Sequence, residues 1–212
     1  LFDNSGFNTT EVSSRNDEEI FRYQNYINTL DVNRTTQQFD LTISRADPSD
    51  PRTTVEKYRN AFTMVQKFEY WDGDIRLFSE DNNYITFRRY LNNMPILTSS
   101  SMTDYGANIV QMRGDLSGDI YRYHQPMLTF YTHVDTASQE YELMSHNELL
   151  IEFQERGYTV NGFDDIFIGY EWQEDMEMFR KAELIPTWFF KLDGEYYTLE
   201  EVQSDSFVEI WN

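Results

Sequence analysis

Tyr84-Ile-Thr-Phe-Arg-Arg-Tyr-Leu-Asn-Asn-Met-Pro-Ile96 and, after a glycine-bounded loop, Asp119-Ile-Tyr-Arg-Tyr-His-Gln-Pro-Met127 are the stretches that decide the fold. Each alternates large and polar residues as a half-buried strand does, and neither carries a nucleophile, a metal-ligand cluster or a phosphate loop. They are scaffold sequences. Upstream, Val55, Tyr58, Phe62, Val65 and Phe68 recur at helical spacing, and Thr53 with Glu56 matches a capping box. A helix over Thr53–Tyr70 follows, with Val55, Phe62 and Val65 on its buried face. Strands are expected near Ile75–Ser79, Tyr84–Leu91, Ala107–Arg113 and Ile120–His124, the first after an Asp72-Gly-Asp74 turn.

Further out, the same order recurs. Ser145 with Glu148 makes a capping box, Met144 and Leu149 form a hydrophobic staple, and Gly157 is a C-terminal stop. This predicts a helix over Ser145–Arg156 that buries Leu149 and Phe153. Strands follow near Ile166–Trp172, Ala182–Lys191 and Glu195–Leu199, with Asp193-Gly194 as a tight hairpin turn. On the N-terminal side, Leu1–Arg15 reads as a loop or frayed end, while Ile20-Phe-Arg-Tyr23, Tyr26-Ile-Asn-Thr-Leu30 and Phe39-Asp-Leu-Thr-Ile43 read as strands. Two prolines in Ala46-Asp-Pro-Ser-Asp-Pro51 mark a boundary. The expected class is α+β: two helix-on-antiparallel-sheet modules preceded by a short strand-rich segment. The expected divisions are a lead over 1–48, remnant or extension of a preceding domain, a central module over 49–126 and a C-terminal module over 127–212.

A chain of 212 residues can bury roughly 70% of its unfolded surface, so a substantial core is available. Its 17% aromatic content suits strands. With 17 Lys and Arg against 37 Asp and Glu, the net charge of −20 argues against a nucleic-acid partner and against anionic lipid surfaces. The absence of cysteine excludes disulfides and thiolate metal sites. No run of about 18 apolar residues occurs, and the start at Leu1 without a signal-like segment reads as a fragment of a longer protein.

The chemistry-bearing residues are sparse in pattern. Asp164-Asp165 and Glu174-Asp175 are the densest acid pairs and read as solvated turns, since paired acids act catalytically only where a pocket separates their titrations. Asp72-Gly-Asp74 and Glu80-Asp-Asn-Asn83 are oxygen-rich but lack the spacing of a calcium loop. His124, His133 and His146 have no zinc-site spacing, and Arg113-Gly-Asp115 reads as an ordinary turn. No hydrolase elbow, P-loop or dinucleotide fingerprint is present. The expectation is a protein that is not an enzyme, with no catalytic residue, cofactor or metal. Aromatics remain: Phe68, Tyr70 and Trp71 close the first helix, and Trp188, Phe190 and Tyr196 on the late hairpin are the candidate partner contacts, because aromatic side chains are enriched in interface cores.

An ordered set of short motifs resembles the YycH family. These are Leu1-Phe2 with Glu11-Val-Ser-Ser-Arg15, Trp71-Asp-Gly73, Arg89-Tyr-Leu-Asn-Asn-Met-Pro95, Arg122-Tyr-His-Gln-Pro126, Gly169-Tyr170 and Pro186-Thr-Trp188. YycI, which shares the Gly-Tyr and Pro-x-Trp features, is the nearest confusable relative; the Leu-Asn-x-x-Pro strand and the strand-rich lead favour YycH. The resemblance implies an extracytoplasmic accessory regulator of the YycG (WalK) sensor histidine kinase in a Gram-positive two-component system. It implies action through contacts with a YycI-like protein and the kinase, without catalysis, at the outer face of the membrane. The anchor would be an N-terminal transmembrane helix absent from this chain. The alternative is a cell-envelope module that binds a wall glycan or peptide through exposed Tyr and Trp.

Overall fold

The computed structural model describes residues 8–15, 18–24, 28–35, 38–43, 54–68, 74–81, 84–99, 122–126, 140–174 and 182–211. In chain order the elements are β1 (Asn8–Arg15), β2 (Glu18–Gln24), β3 (Asn28–Asn33), β4 (Gln38–Ile43), α1 (Thr54–Phe68), β5 (Asp74–Asp81), β6 (Tyr84–Leu91) and β7 (Met94–Leu97). Then come β8 (Arg122–Pro126), α2 (His146–Arg156), a 3-10 turn (Val160–Gly162), β9 (Asp165–Glu174), β10 (Ala182–Leu192), β11 (Glu195–Thr198), α3 (Leu199–Gln203) and α4 (Asp205–Trp211). The fold is α+β and strand-rich in its N-terminal part. Among the described residues no helix is long and apolar enough to cross a membrane. The strand expected over Ala107–Arg113, the Arg113-Gly-Asp115 turn, Tyr70, Trp71, His133 and the Thr53 cap lie outside the described residues.

The chain divides into two compact units, Leu1–Tyr90 with Tyr105–Phe130, and Leu91–Asp104 with Tyr131–Asn212. These boundaries differ from a cut at residues 48 and 126, because β8 joins the strands of the lead. Within the first unit the sheet order is β1-β2-β3-β4-β8, antiparallel throughout. Its register sorts side chains by face, as the two-residue strand period requires. Tyr23, Leu30, Leu41 and Tyr123 stand opposite one another across β2, β3, β4 and β8. The neighbouring row, Arg22, Asp31, Asp40 and His124, falls on the other face. There Arg22 donates twice to the Asp31 carboxylate at 2.6 and 2.8 Å, and His124 Nδ1 lies 3.1 Å from Asp40 Oδ1.

The apolar row joins the core formed by Leu30, Leu41, Ala61, Val65, Ile85, Phe87 and Tyr123. Two expectations are corrected here. Val55 is 64% and Phe62 41% exposed, whereas Ala61 and Val65 are buried. The buried stripe of α1 runs through Tyr58, Ala61 and Val65, which leaves Val55 and Phe62 roughly 70–90° round the helix from its centre. Ala61, too small to stand out as a core residue in the sequence, lets the helix backbone approach. A third correction concerns Leu1–Arg15: its second half is a strand, β1, paired with β2 through a bulge between Thr9 and Glu11. Backbone pairing holds it without the apolar alternation that marks a strand in sequence.

In the second unit the strand order is β11-β10-β9-β7. The β9–β10 and β10–β11 pairs are antiparallel, but β7 pairs with β9 in parallel, Ile96 opposite Tyr170, so this sheet departs from the expected all-antiparallel meander. Helix α2 forms as its sequence dictates. Ser145 accepts from Glu148 N, the Glu148 carboxylate accepts from Ser145 N at 2.8 Å, and Gly157 closes the helix at φ 79°. Leu149 and Phe153 from α2 pack with Tyr158, Phe163, Phe190, Val202 and Phe207. Asp193 and Gly194 turn the β10–β11 hairpin with φ of 51° and 88°, the left-handed pair a two-residue hairpin needs. Leu199 starts α3 instead of extending β11, because Thr198 caps that helix by accepting from Glu201 N.

Candidate functional site

The late hairpin sets where the three candidate aromatics stand. On β10 the side chains of Trp188, Phe190 and Leu192 project to one face, and the α2-side core includes all three. Phe190 is fully buried there, with its ring 5.2 Å from those of Phe153 and Phe163. It packs the core and offers no surface to a partner in this fold, which removes it as a contact candidate. Trp188 is half-buried and its indole Nε1 donates to Met144 O at 2.9 Å. Tyr196 pairs with Lys191, one register position over from Phe190, and therefore lies on the opposite face. Its ring is 6.1 Å from Phe167, with Lys191 Nζ 5.7 Å over it. Trp188 and Tyr196 thus do not form one patch.

Beside Trp188 a cleft of about 320 Å³ opens, walled by His146, Leu150, Val160, Asp165 and Ile166 among others. The consecutive residues Leu149, Leu150 and Ile151 explain it. Successive helical residues point about 100° apart, so burying Leu149 leaves Leu150 37% and Ile151 58% exposed. These residues were missed as candidates, although three large apolar residues in a row on a surface helix are themselves the signal.

Several ionisable groups among the described residues are engaged structurally. Glu148 and Glu201 serve as capping-box carboxylates. The Ser145 side chain and backbone hold the Glu148 carboxyl below its ordinary range. Asp165 Oδ1 accepts from Ile166 N at 2.9 Å, Asp164 is exposed, and His146 is exposed on the first turn of α2. Asp74, from one of the oxygen-rich turns, pairs with Arg76, and Glu80 accepts from the Tyr58 hydroxyl. Glu171 on β9 is a buried carboxylate that accepts from Gln173 Nε2 at 3.0 Å, and burial raises its carboxyl above the ordinary value. Among the described residues no three His, Asp or Glu side chains come close enough to share a metal ion.

The motif residues have physical roles. Asn92 and Asn93, at φ 50° and 67°, turn the chain from β6 into β7, and Asn92 Nδ2 donates to Tyr170 OH at 3.3 Å. A side chain at Gly169 would lie 2.9 Å from Pro95 O, so glycine is what lets β7 and β9 close. Pro186 stands opposite Tyr170. The Leu-Asn-Asn-Met-Pro, Gly-Tyr and Pro-Thr-Trp segments therefore meet in three adjacent strands.

The family described as YycH protein, C-terminal domain, matches residues 1–205. The fold is similar to the crystal structure of YycH from Bacillus subtilis, with a TM-score of 0.61 at 19% identity over 84% of this chain. The alignment covers 43% of that structure's chain, so the present chain spans less than half of its relative. No curated protein sequence matches. With all but the last 7 of 212 residues inside the family match, the chain belongs to the YycH family through the C-terminal domain.

Proposed function

We propose that the chain is the partner-binding part of a non-catalytic regulator that acts on a YycG (WalK)-like sensor histidine kinase together with a YycI-like protein. The observation that carries this reading is the family match over residues 1–205. The engagement of the capping carboxylates and of the Arg22–Asp31 and Arg76–Asp74 pairs in the scaffold supports action by contact. Contact regulation requires only that the protein bind one kinase conformation more tightly than another. The full-length protein would work at the extracytoplasmic face, held by an anchor carried outside this chain.

Capture on the immobilised chain from detergent-solubilised membranes of the source organism tests the reading. A sensor kinase with a YycI-like protein is expected among the retained proteins. Retention of wall glycan or wall peptide with neither protein would overturn it in favour of an envelope-binding module.

A further inference from the structure

Asn161-Gly162 is the single Asn-Gly pair in the chain, and it falls in the 3-10 turn between α2 and β9. Such a pair is open to deamidation, because glycine leaves its N–H unhindered and its backbone free to bring that nitrogen onto the neighbouring side-chain amide. The fold holds the pair out of reaction in two ways. Gly162 N donates to Thr159 O at 2.9 Å and Phe163 N to Val160 O at 3.2 Å, so the nitrogen that would attack is committed to the turn. The ring of Trp211, from α4, lies against Gly162: a side chain there would overlap Cη2 and stand 2.7 Å from Cζ2. Trp211 is held in turn, its ring 4.8 Å from that of Phe163 and 5.1 Å from that of Tyr158, both buried. Asn161 itself is exposed to water.

We propose that Asn161 is a deamidation site whose rate is set by the docking of α4. When Trp211 lifts and the turn opens, Gly162 N gives its proton to hydroxide or a buffer base and bonds to Asn161 Cγ. The Cγ–Nδ2 bond breaks, Nδ2 takes up a proton and leaves as ammonia, and a five-membered imide remains. Water then opens the imide. Attack at Cγ leaves aspartate at position 161, and attack at the main-chain carbonyl carbon leaves isoaspartate; one water is consumed, one ammonia released and nothing oxidised. In isoaspartate the main chain runs through the side chain and is one carbon longer, so the tight 3-10 turn and the seat of Trp211 are not regained together. The new carboxylate also joins exposed Asp164 and Asp165. The product is a chain whose α4 is released while its sheet is intact, an outcome independent of the kinase reading above.

The test incubates the purified chain at mildly alkaline pH and follows the peptide that contains Asn161 by mass and by its isoaspartate content. Folded wild type should react more slowly than the same chain in urea. Trp211→Ala should react about tenfold or more faster than wild type under native conditions, with Trp211→Leu between them, because removing the cover lowers the cost of local opening. Phe189→Leu destabilises the same unit from the opposite face of β10 and should leave the rate near wild type; melting curves confirm that each variant is folded. Hydrogen exchange at α4 amides should speed up in the isoaspartate product and stay slow in Asn161→Asp, which adds the charge without lengthening the chain. Wild type reacting as fast as in urea, or folded Trp211→Ala and Trp211→Leu no faster than wild type, would overturn the proposal. So would an equal acceleration in Phe189→Leu, since the reaction would then follow global unfolding, or an isoaspartate product whose α4 stays protected.

Discussion

Gly169→Ala is the perturbation whose sign tests the account of the motif segments. Gly169 is not one of the residues with positive φ, so alanine is compatible with its backbone, and removing glycine's freedom in the unfolded chain would by itself stabilise by about 0.4–1 kcal/mol. Packing opposes this. The new Cβ would lie 2.9 Å from Pro95 O and 3.0 and 3.1 Å from two carbons of the Phe189 ring, where ordinary contact begins near 3.4 Å. Neither neighbour yields readily: the oxygen belongs to the backbone of β7, and Phe189 is fully buried and stacked on Phe167 at 5.8 Å. Overpacking of this kind costs about 1–3 kcal/mol, so a net loss of about 1–2 kcal/mol is expected. Urea unfolding should show a lower midpoint with an unchanged slope. A variant as stable as wild type, or more so, would refute the close approach of β7 to β9.

Phe153→Ala should cost about 3–5 kcal/mol, because its buried ring lies 5.2–6.0 Å from those of Phe190, Phe163 and Tyr158, whereas Phe62→Ala, at a ring 41% exposed, should cost about 1–2 kcal/mol. Equal losses in urea unfolding would contradict the face assigned to α1. Glu171→Gln should stabilise at pH 7, since burial raises the native carboxyl value. The folded state then holds the proton more firmly, so the wild type is relatively favoured below the unfolded value of about 4.3 and loses that advantage as pH rises through the raised native value. The gain of the variant should therefore vanish near pH 4, and a variant less stable at both pH values would count against a strained buried carboxylate. Thr198→Ala removes the acceptor for Glu201 N in a buried cap and should lower stability by about 1 kcal/mol in the same assay, with no change expected if the cap is dispensable.

Local signals were legible and distant ones were not. Ser145, Glu148 and Gly157 announce α2 because caps satisfy orphan backbone groups within a few residues. Asp193-Gly194 announces its hairpin because few residue pairs tolerate two left-handed conformations. By contrast, β7 is four residues long with a proline inside, a pattern that argues against a strand, and its partner lies far along the chain. The pairing of β4 with β8 is similarly remote, which is why the lead could not be assigned to its sheet. Thr198 and Glu201 form the same capping signature as Ser145 and Glu148, but the preceding strand pattern ran on through Leu199 and hid it. Of the candidate contacts, adjacency in sequence made Trp188, Phe190 and Tyr196 look alike. The face each occupies depends on register across the hairpin, and only Trp188 borders the α2 cleft.

The parallel pairing of β7 with β9 also has a consequence during synthesis. Ile96 emerges from the ribosome 74 residues before Tyr170, the residue it pairs with, a wait of roughly 4–15 s at ordinary translation rates. Through that interval the edge of Met94-Pro-Ile-Leu97 that will receive β9 has no partner. Pro95 has no N–H to give a foreign strand, so the residue whose carbonyl later meets Gly169 also makes the waiting segment a poor template for association between nascent chains. Replacing it with a β-branched residue would be felt first as aggregation on expression, before any change in the finished fold.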